Sequence, residues 1–84
     1  MHYVYIIQNE HNELYFGYTS DLRRRMQEHN SGQSFYTKNH SWELVYYEAY
    51  RNKKDATMRE AKLKQHGQSK RWLKQRIVHS LENV

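Results

Sequence analysis

Eighty-four residues allow one compact domain, and a hydrophobic share of only 37% means a small core in which eight tyrosines and two tryptophans must carry much of the buried area. The chain has no cysteine, which excludes a disulfide frame and a thiolate metal site. No apolar run approaches a membrane span or a signal segment, so a soluble cytoplasmic protein is expected. The net charge of +5 is unevenly spread: residues 1–50 carry four Lys/Arg against six Asp/Glu, and residues 51–84 carry ten against three. A basic half of this kind is the footprint of a polyanion partner, with a solvated lysine-rich helix as the plainer alternative.

The first element is "HYVYIIQ" (His2–Gln8), β-branched and aromatic, ending at the polar "NEHN". It predicts a strand and a turn, with "ELYFGYT" (Glu13–Thr19) as the returning strand of a hairpin. "SDLRRRMQEHN" predicts a helix over residues 21–29, with Ser20 as N-cap and Asp21 in the first turn, where the dipole favours an anion. After the polar "GQSFYTKNH", "WELVYYEAY" (Trp42–Tyr50) predicts a third strand, with Leu44, Tyr46 and Glu48 on one face and Val45, Tyr47 and Ala49 on the other. "NKKDATMREAKLKQH" predicts a second helix ending at Gly67. Ser69 is placed to cap a third, with Trp72, Leu73, Ile77 and Leu81 as its apolar stripe. The order ββαβαα implies an α+β fold: a small three-stranded, mainly antiparallel sheet flanked by about three helices, spanning 1–84 as one domain.

Some polar residues lie on the sides that should face inward. At about 100° per residue with Leu22 at zero, Met26 falls near 40°, Arg25 near 300° and His29 near 340°, while Arg23 and Arg24 lie near 100° and 200°. Of three adjacent arginines, only Arg25 shares the buried stripe, and His29 joins it. A partly buried guanidinium is costly unless it is paired or reserved for an anion. The plainer reading pairs Arg25 with an acid such as Glu43 or Glu48 and leaves His29 to cap the helix end.

In the second helix, with Ala56 at zero, Leu63 falls at about 340° and Glu60 at about 40°. Glu60 therefore sits beside apolar residues, either paired with a lysine one turn away or binding a hard cation through oxygen. Along the hairpin, Tyr3 and Tyr5 share one face, as do Tyr15 and Gly17. A glycine inside a strand marks a bulge or a close approach to the backbone.

"VYI" (Val4–Ile6), "YFG" (Tyr15–Gly17) and "TSDLRRRMQEHNSG", followed by "YT" (Tyr36–Thr37), "WELVYYE" and "ATMREAKLK", resemble the small single-domain bacterial members of the GIY-YIG nuclease superfamily. The first motif has Tyr3 and Val4 where the superfamily has glycine and isoleucine, and the second has Phe16 for isoleucine. The resemblance implies the same three-stranded fold and a DNA endonuclease using one divalent ion, Mg²⁺ or Mn²⁺. It carries the motif tyrosines onto Tyr5 and Tyr15, the glycine onto Gly17, the helix arginine onto Arg25, the histidine onto His29, and the metal-binding glutamate onto Glu60.

In such an enzyme Arg25 would hold the scissile phosphate through paired N–H donors, and Tyr5 or Tyr15 would orient or deprotonate the water. Arg24, Lys38, Lys62, Lys64, Lys70, Arg71 and Lys74 would supply phosphate contacts without reading sequence. The expected substrate is DNA, branched, flapped or plain. The competing readings are a nucleic-acid-binding domain with little turnover and a protein-interaction module using an aromatic sheet face.

Overall fold

A computed structural model describes residues 1–34 and 37–82, so Tyr36 of the quoted "YT" lies outside the described residues. The elements are β1 (His2–Asn9), β2 (Leu14–Thr19), α1 (Leu22–Asn30), β3 (Trp42–Tyr50), α2 (Lys53–Gln65), α3 (Gly67–Arg76) and α4 (Val78–Leu81). They form an α+β fold with a three-stranded antiparallel sheet in the order β2-β1-β3, which places the most apolar strand at the centre. Among the described residues, no helix is long and apolar enough to cross a membrane.

The alternation of β1 sends its side chains to two different layers. Val4 and Ile6 join Phe16, Ala56, Leu63, Leu73 and Ile77 in the larger core beneath α2 and α3. Tyr5, Ile7 and Trp42 form the second core, against which Tyr15, Leu22 and Met26 pack. The sheet is thus covered by α1 on one face and by the C-terminal helices on the other.

Several expectations about the elements need correction. Asp21, not Ser20, is the N-cap of α1, its carboxylate accepting from Arg24 N at 3.1 Å, while Thr19 Oγ1 ties down the Asp21 backbone N–H. In β3 the expected faces are broken by a bulge: Ile6 pairs with Tyr46 but Ile7 with Leu44, leaving Val45 as the extra residue. A bulge reverses the alternation, so Leu44 and Tyr46 point to opposite faces. α2 stops at Gln65, and α3 starts at Gly67 without a side-chain cap, so Ser69 lies inside it.

The final helix is also two helices, because Ile77 leaves helical geometry. The expected stripe contained a misplaced residue. With Leu73 at zero, Ile77 and Leu81 lie at about 40° and 80°, but Trp72 lies about 100° the other way. Leu73 and Ile77 are accordingly buried, whereas Trp72 is 60% exposed.

Candidate functional site

The site begins with the contact between Tyr5 and Gly17, which are directly opposite each other on β1 and β2. The Tyr5 ring lies over the glycine so closely that an added Cβ would sit 2.5 Å from Tyr5 Cζ. Glycine is required here by a close approach, with the Tyr5 ring fully buried above it. The Tyr5 hydroxyl is thereby aimed at α1.

There it meets both residues of the inward stripe. Arg25 Nε donates to Tyr5 Oη at 3.2 Å, and Tyr5 Oη lies 2.7 Å from His29 Nε2. His29 Nδ1 is in turn 2.7 Å from Thr37 Oγ1, and Trp42 Nε1 fixes that residue by donating to its carbonyl at 2.8 Å. His29 and Thr37 are both fully buried. The chain Arg25–Tyr5–His29–Thr37 thus joins α1, β1 and the segment before β3. Thr37 received no role from the sequence. Its only signal was its place in "YT", because nothing local connects it to His29.

Burial governs the electrostatics. It pushes the Tyr5 phenol up to about 12, although the hydrogen bond and charge of Arg25 act the other way. It pushes His29 down to about 4, helped by the Arg25 charge. Burial also opposes the Arg25 charge, but hydrogen bonds to Glu28 and Tyr5 outweigh it and raise the guanidinium's pKa. The acid that pairs with Arg25 is Glu28, three residues on at 2.8 Å, and neither Glu43 nor Glu48. Glu48 is bound instead by Arg59 at 2.9 Å, with Tyr46 and Tyr50 donating to the same carboxylate. His29 does more than cap the helix end: both of its nitrogens are engaged inside the fold.

Tyr15 and Glu60 complete the group from the β2 side. The Tyr15 ring stands edge-on to His29 at 5.2 Å and 6.5 Å from Tyr5. Lys64 Nζ lies 5.6 Å from the Tyr15 ring centroid and 3.3 Å from Glu60 Oε2. The carboxylate is close enough for its charge to act on the Tyr5 phenol. The helical pair of Glu60 with a lysine one turn away, the plainer reading, is therefore present, and it sits beside the phenols. Tyr5, Tyr15, Arg25, His29 and Glu60 come together from four elements.

The GIY-YIG catalytic domain matches residues 1–75. The chain belongs to the GIY-YIG family. Membership places this GIY-YIG domain in a nuclease superfamily. It is 38% identical over 72 residues to a UPF0213 protein of Haloquadratum walsbyi, covering 83% of this chain and 81% of that one. It is 39% identical over 72 residues to a UPF0213 protein of Staphylococcus aureus, covering 83% and 88%. The solution NMR structure of a UPF0213 protein from Bacillus halodurans superposes with a TM-score of 0.55 at 30% identity, covering 90% of this chain and 85% of that one.

The basic residues of this GIY-YIG domain divide into groups the sequence did not separate. Lys64 belongs to the site itself. Lys70 lies over the Phe16 ring at 4.8 Å, and Arg24 pairs with Glu28 at 3.2 Å. Lys38, Arg71 and Lys74 are exposed. Lys62 lines a cleft of about 290 Å³ with Arg59, Ser69, Trp72, Leu73 and Arg76. At about 100° per residue, Arg59 and Lys62 occupy the flank of α2 opposite Glu60 and Lys64.

Glu60 is suited to a hard divalent ion, which takes carboxylate oxygen and keeps several waters. The Lys64 ammonium beside it shows that the carboxylate already holds a cation at that point. Among the described residues no second acid or imidazole forms a three-ligand group with Glu60.

Proposed function

We propose that this domain is a divalent-metal-dependent endonuclease that hydrolyses DNA phosphodiester bonds without reading base sequence, acting on branched, flapped or plain DNA. The observation that carries this reading is the buried chain from Arg25 through Tyr5 and His29 to Thr37, with Tyr15 and the Glu60 carboxylate beside it. A domain that only bound nucleic acid would gain nothing from an acid beside the phosphate.

The two tyrosines take different roles. With Tyr5 near 12 and His29 near 4, both are neutral at pH 7. Burial raises the Tyr5 phenol and lowers the His29 imidazole, so both shifts oppose passing the Tyr5 proton to His29. Tyr5 is therefore a positioning residue: buried over Gly17, it fixes the Arg25 fork and the His29 ring. Tyr15, half-buried between His29 and Lys64, is the phenol that meets and orients the attacking water.

Arg25 takes the scissile phosphate by exchanging the partly exposed Glu28 carboxylate for a phosphate oxygen, so its charge is never left unpaired. Glu60 would hold Mg²⁺ or Mn²⁺, and the ion would supply positive charge to stabilise the charge that develops during phosphodiester hydrolysis. Lys64, released from Glu60, turns to the DNA backbone. Lys62 and Arg76, together with the exposed Trp72 ring, suit a flanking phosphate and an unstacked base.

The test is nicking of supercoiled plasmid and of flapped and branched duplexes with Mg²⁺ or Mn²⁺. The wild type should cut, and Glu60→Gln and Arg25→Lys should each lose about a hundredfold or more while still binding DNA, as expected for losing an electrostatic contact to the transition state. A wild type that binds all these substrates and cuts none with either ion replaces this reading with the binding domain.

A further inference from the structure

The β1–β2 turn and the segment entering β3 bring together three donor groups that the catalytic reading does not use. Oε1 of Glu10 lies 2.9 Å from His40 Nδ1 and 3.9 Å from His11 Nε2, and the three ligand atoms all fall within 4.8 Å of one another. The two imidazoles stand edge to face at 5.8 Å. Two rings from segments far apart in sequence thus converge on one carboxylate oxygen.

Both segments are built to hold these positions. The buried Asn9 side chain accepts from the backbone N–H groups of His11 and Glu13, fixing the turn that carries Glu10 and His11. Asn12 closes it with φ 63°. Across the gap, Asn39 takes φ 72° and presents His40, while the second oxygen of Glu10 accepts from Ser41 N–H at 3.0 Å. Hydrogen bonds from its own backbone N–H and from His40 hold the Glu10 carboxyl down to about 2, so it is an anion at any ordinary pH. A shallow cleft lined by Glu10, Asn30, Gly32, Asn39 and His40 leaves room for waters to complete a coordination shell.

We propose that Glu10, His11 and His40 form a metal site separate from Glu60, which takes a borderline divalent ion of the Zn²⁺ class. Two imidazoles and one carboxylate suit Zn²⁺, Ni²⁺ or Cu²⁺, whereas Mg²⁺ prefers oxygen and water. Bond lengths of about 2.0–2.1 Å to a tetrahedral ion place donor atoms roughly 3.4 Å apart. The trio therefore closes by up to about 1.4 Å at its widest, a movement open to side chains that are one-third to two-thirds exposed.

Such an ion clasps the turn to the start of β3. His40 packs against Trp42 at 6.1 Å, and Trp42 holds the Thr37 that supports His29, so the ion would stiffen the wall behind the site. As plain ion pairs these exposed groups contribute little, so the convergence has no large stabilising role of its own.

Calorimetric titration of the full chain with Zn²⁺, alongside NMR of the histidine rings, tests the site without any DNA. One Zn²⁺ should bind per chain, shifting the His11 and His40 rings and leaving His66 and His79 unmoved. His11→Ala, His40→Ala and Glu10→Gln should each weaken binding tenfold or more, and Zn²⁺ should raise Tm in the wild type but not in His40→Ala. Binding that survives both histidine variants, or that shifts all exposed histidines alike, overturns the proposal as adventitious. Mg²⁺ that displaces Zn²⁺ at comparable concentration overturns the assigned ion class. Because no cleavage is measured, failure of the nuclease reading leaves these outcomes unchanged.

Discussion

The buried ring of Tyr5 rests directly on the backbone of Gly17, its cross-strand partner, and this contact sets the direction of the hydroxyl that joins Arg25 to His29. Gly17→Ala places a methyl where the ring now lies. Because Tyr5 is buried on all sides, the ring has nowhere to swing. The variant should lose about 1–3 kcal/mol of stability, in the range for overpacking a core. Urea denaturation measures the loss, and cleavage per folded molecule should fall with it.

His29 should make the domain acid-sensitive. Its pKa falls from the ordinary 6.5 to about 4 on folding. Between those values the unfolded chain binds more protons than the folded one. The contribution is therefore complete above pH 6.5 and is lost as pH falls through 4. Stability should drop by on the order of 3 kcal/mol across this window, at about 1.4 kcal/mol per pKa unit. Urea midpoints at pH 7 and pH 5 should differ in the wild type and converge in His29→Gln.

On the opposite face, Glu48 accepts from Arg59 twice, at 2.9 and 3.1 Å, and from Tyr46 and Tyr50. Burial raises the Glu48 pKa, but these partners outweigh it and the net shift is downward. This contribution is present above the unfolded value of 4.5 and lost as pH falls through the folded one, so its window begins near the acid end of the His29 window. Glu48→Gln should cost about 1–3 kcal/mol, less than for a fully buried pair because Arg59 is partly exposed. Thermal unfolding reads this loss, and cleavage per folded molecule should be unchanged.

Lys64 competes with any ion for Glu60. Lys64→Met should therefore tighten Mn²⁺ binding at that carboxylate by about two- to fivefold, since a partly exposed pair of this kind is worth up to about 1 kcal/mol. Mn²⁺ titration followed by electron paramagnetic resonance, with Glu60→Gln as the control, checks it. Unchanged affinity would mean that Lys64 does not guard the carboxylate.

Periodicity made Arg25 and His29 legible, because two polar residues on an apolar helical stripe have only the interior to face. It also set Glu60 beside Leu63. The same reasoning failed at Trp72, whose apolarity was mistaken for a place on the stripe, and at β3, where the Val45 bulge reverses the faces. Thr37 was silent for a different reason: its partner lies on another element, and a hydroxyl in a polar loop has no pattern to break.

The sequence by itself determined the order of strands and helices and, on α1 and β1, which side chains turn inward, because helical and strand periods act within a single element. Only the tertiary structure decided that Tyr5 is the buried phenol and Tyr15 the half-exposed one, and that the Glu60–Lys64 pair of α2 lies beside Tyr15. Those outcomes depend on how rings and helices pack across the sheet, a competition for space among residues from every part of the chain.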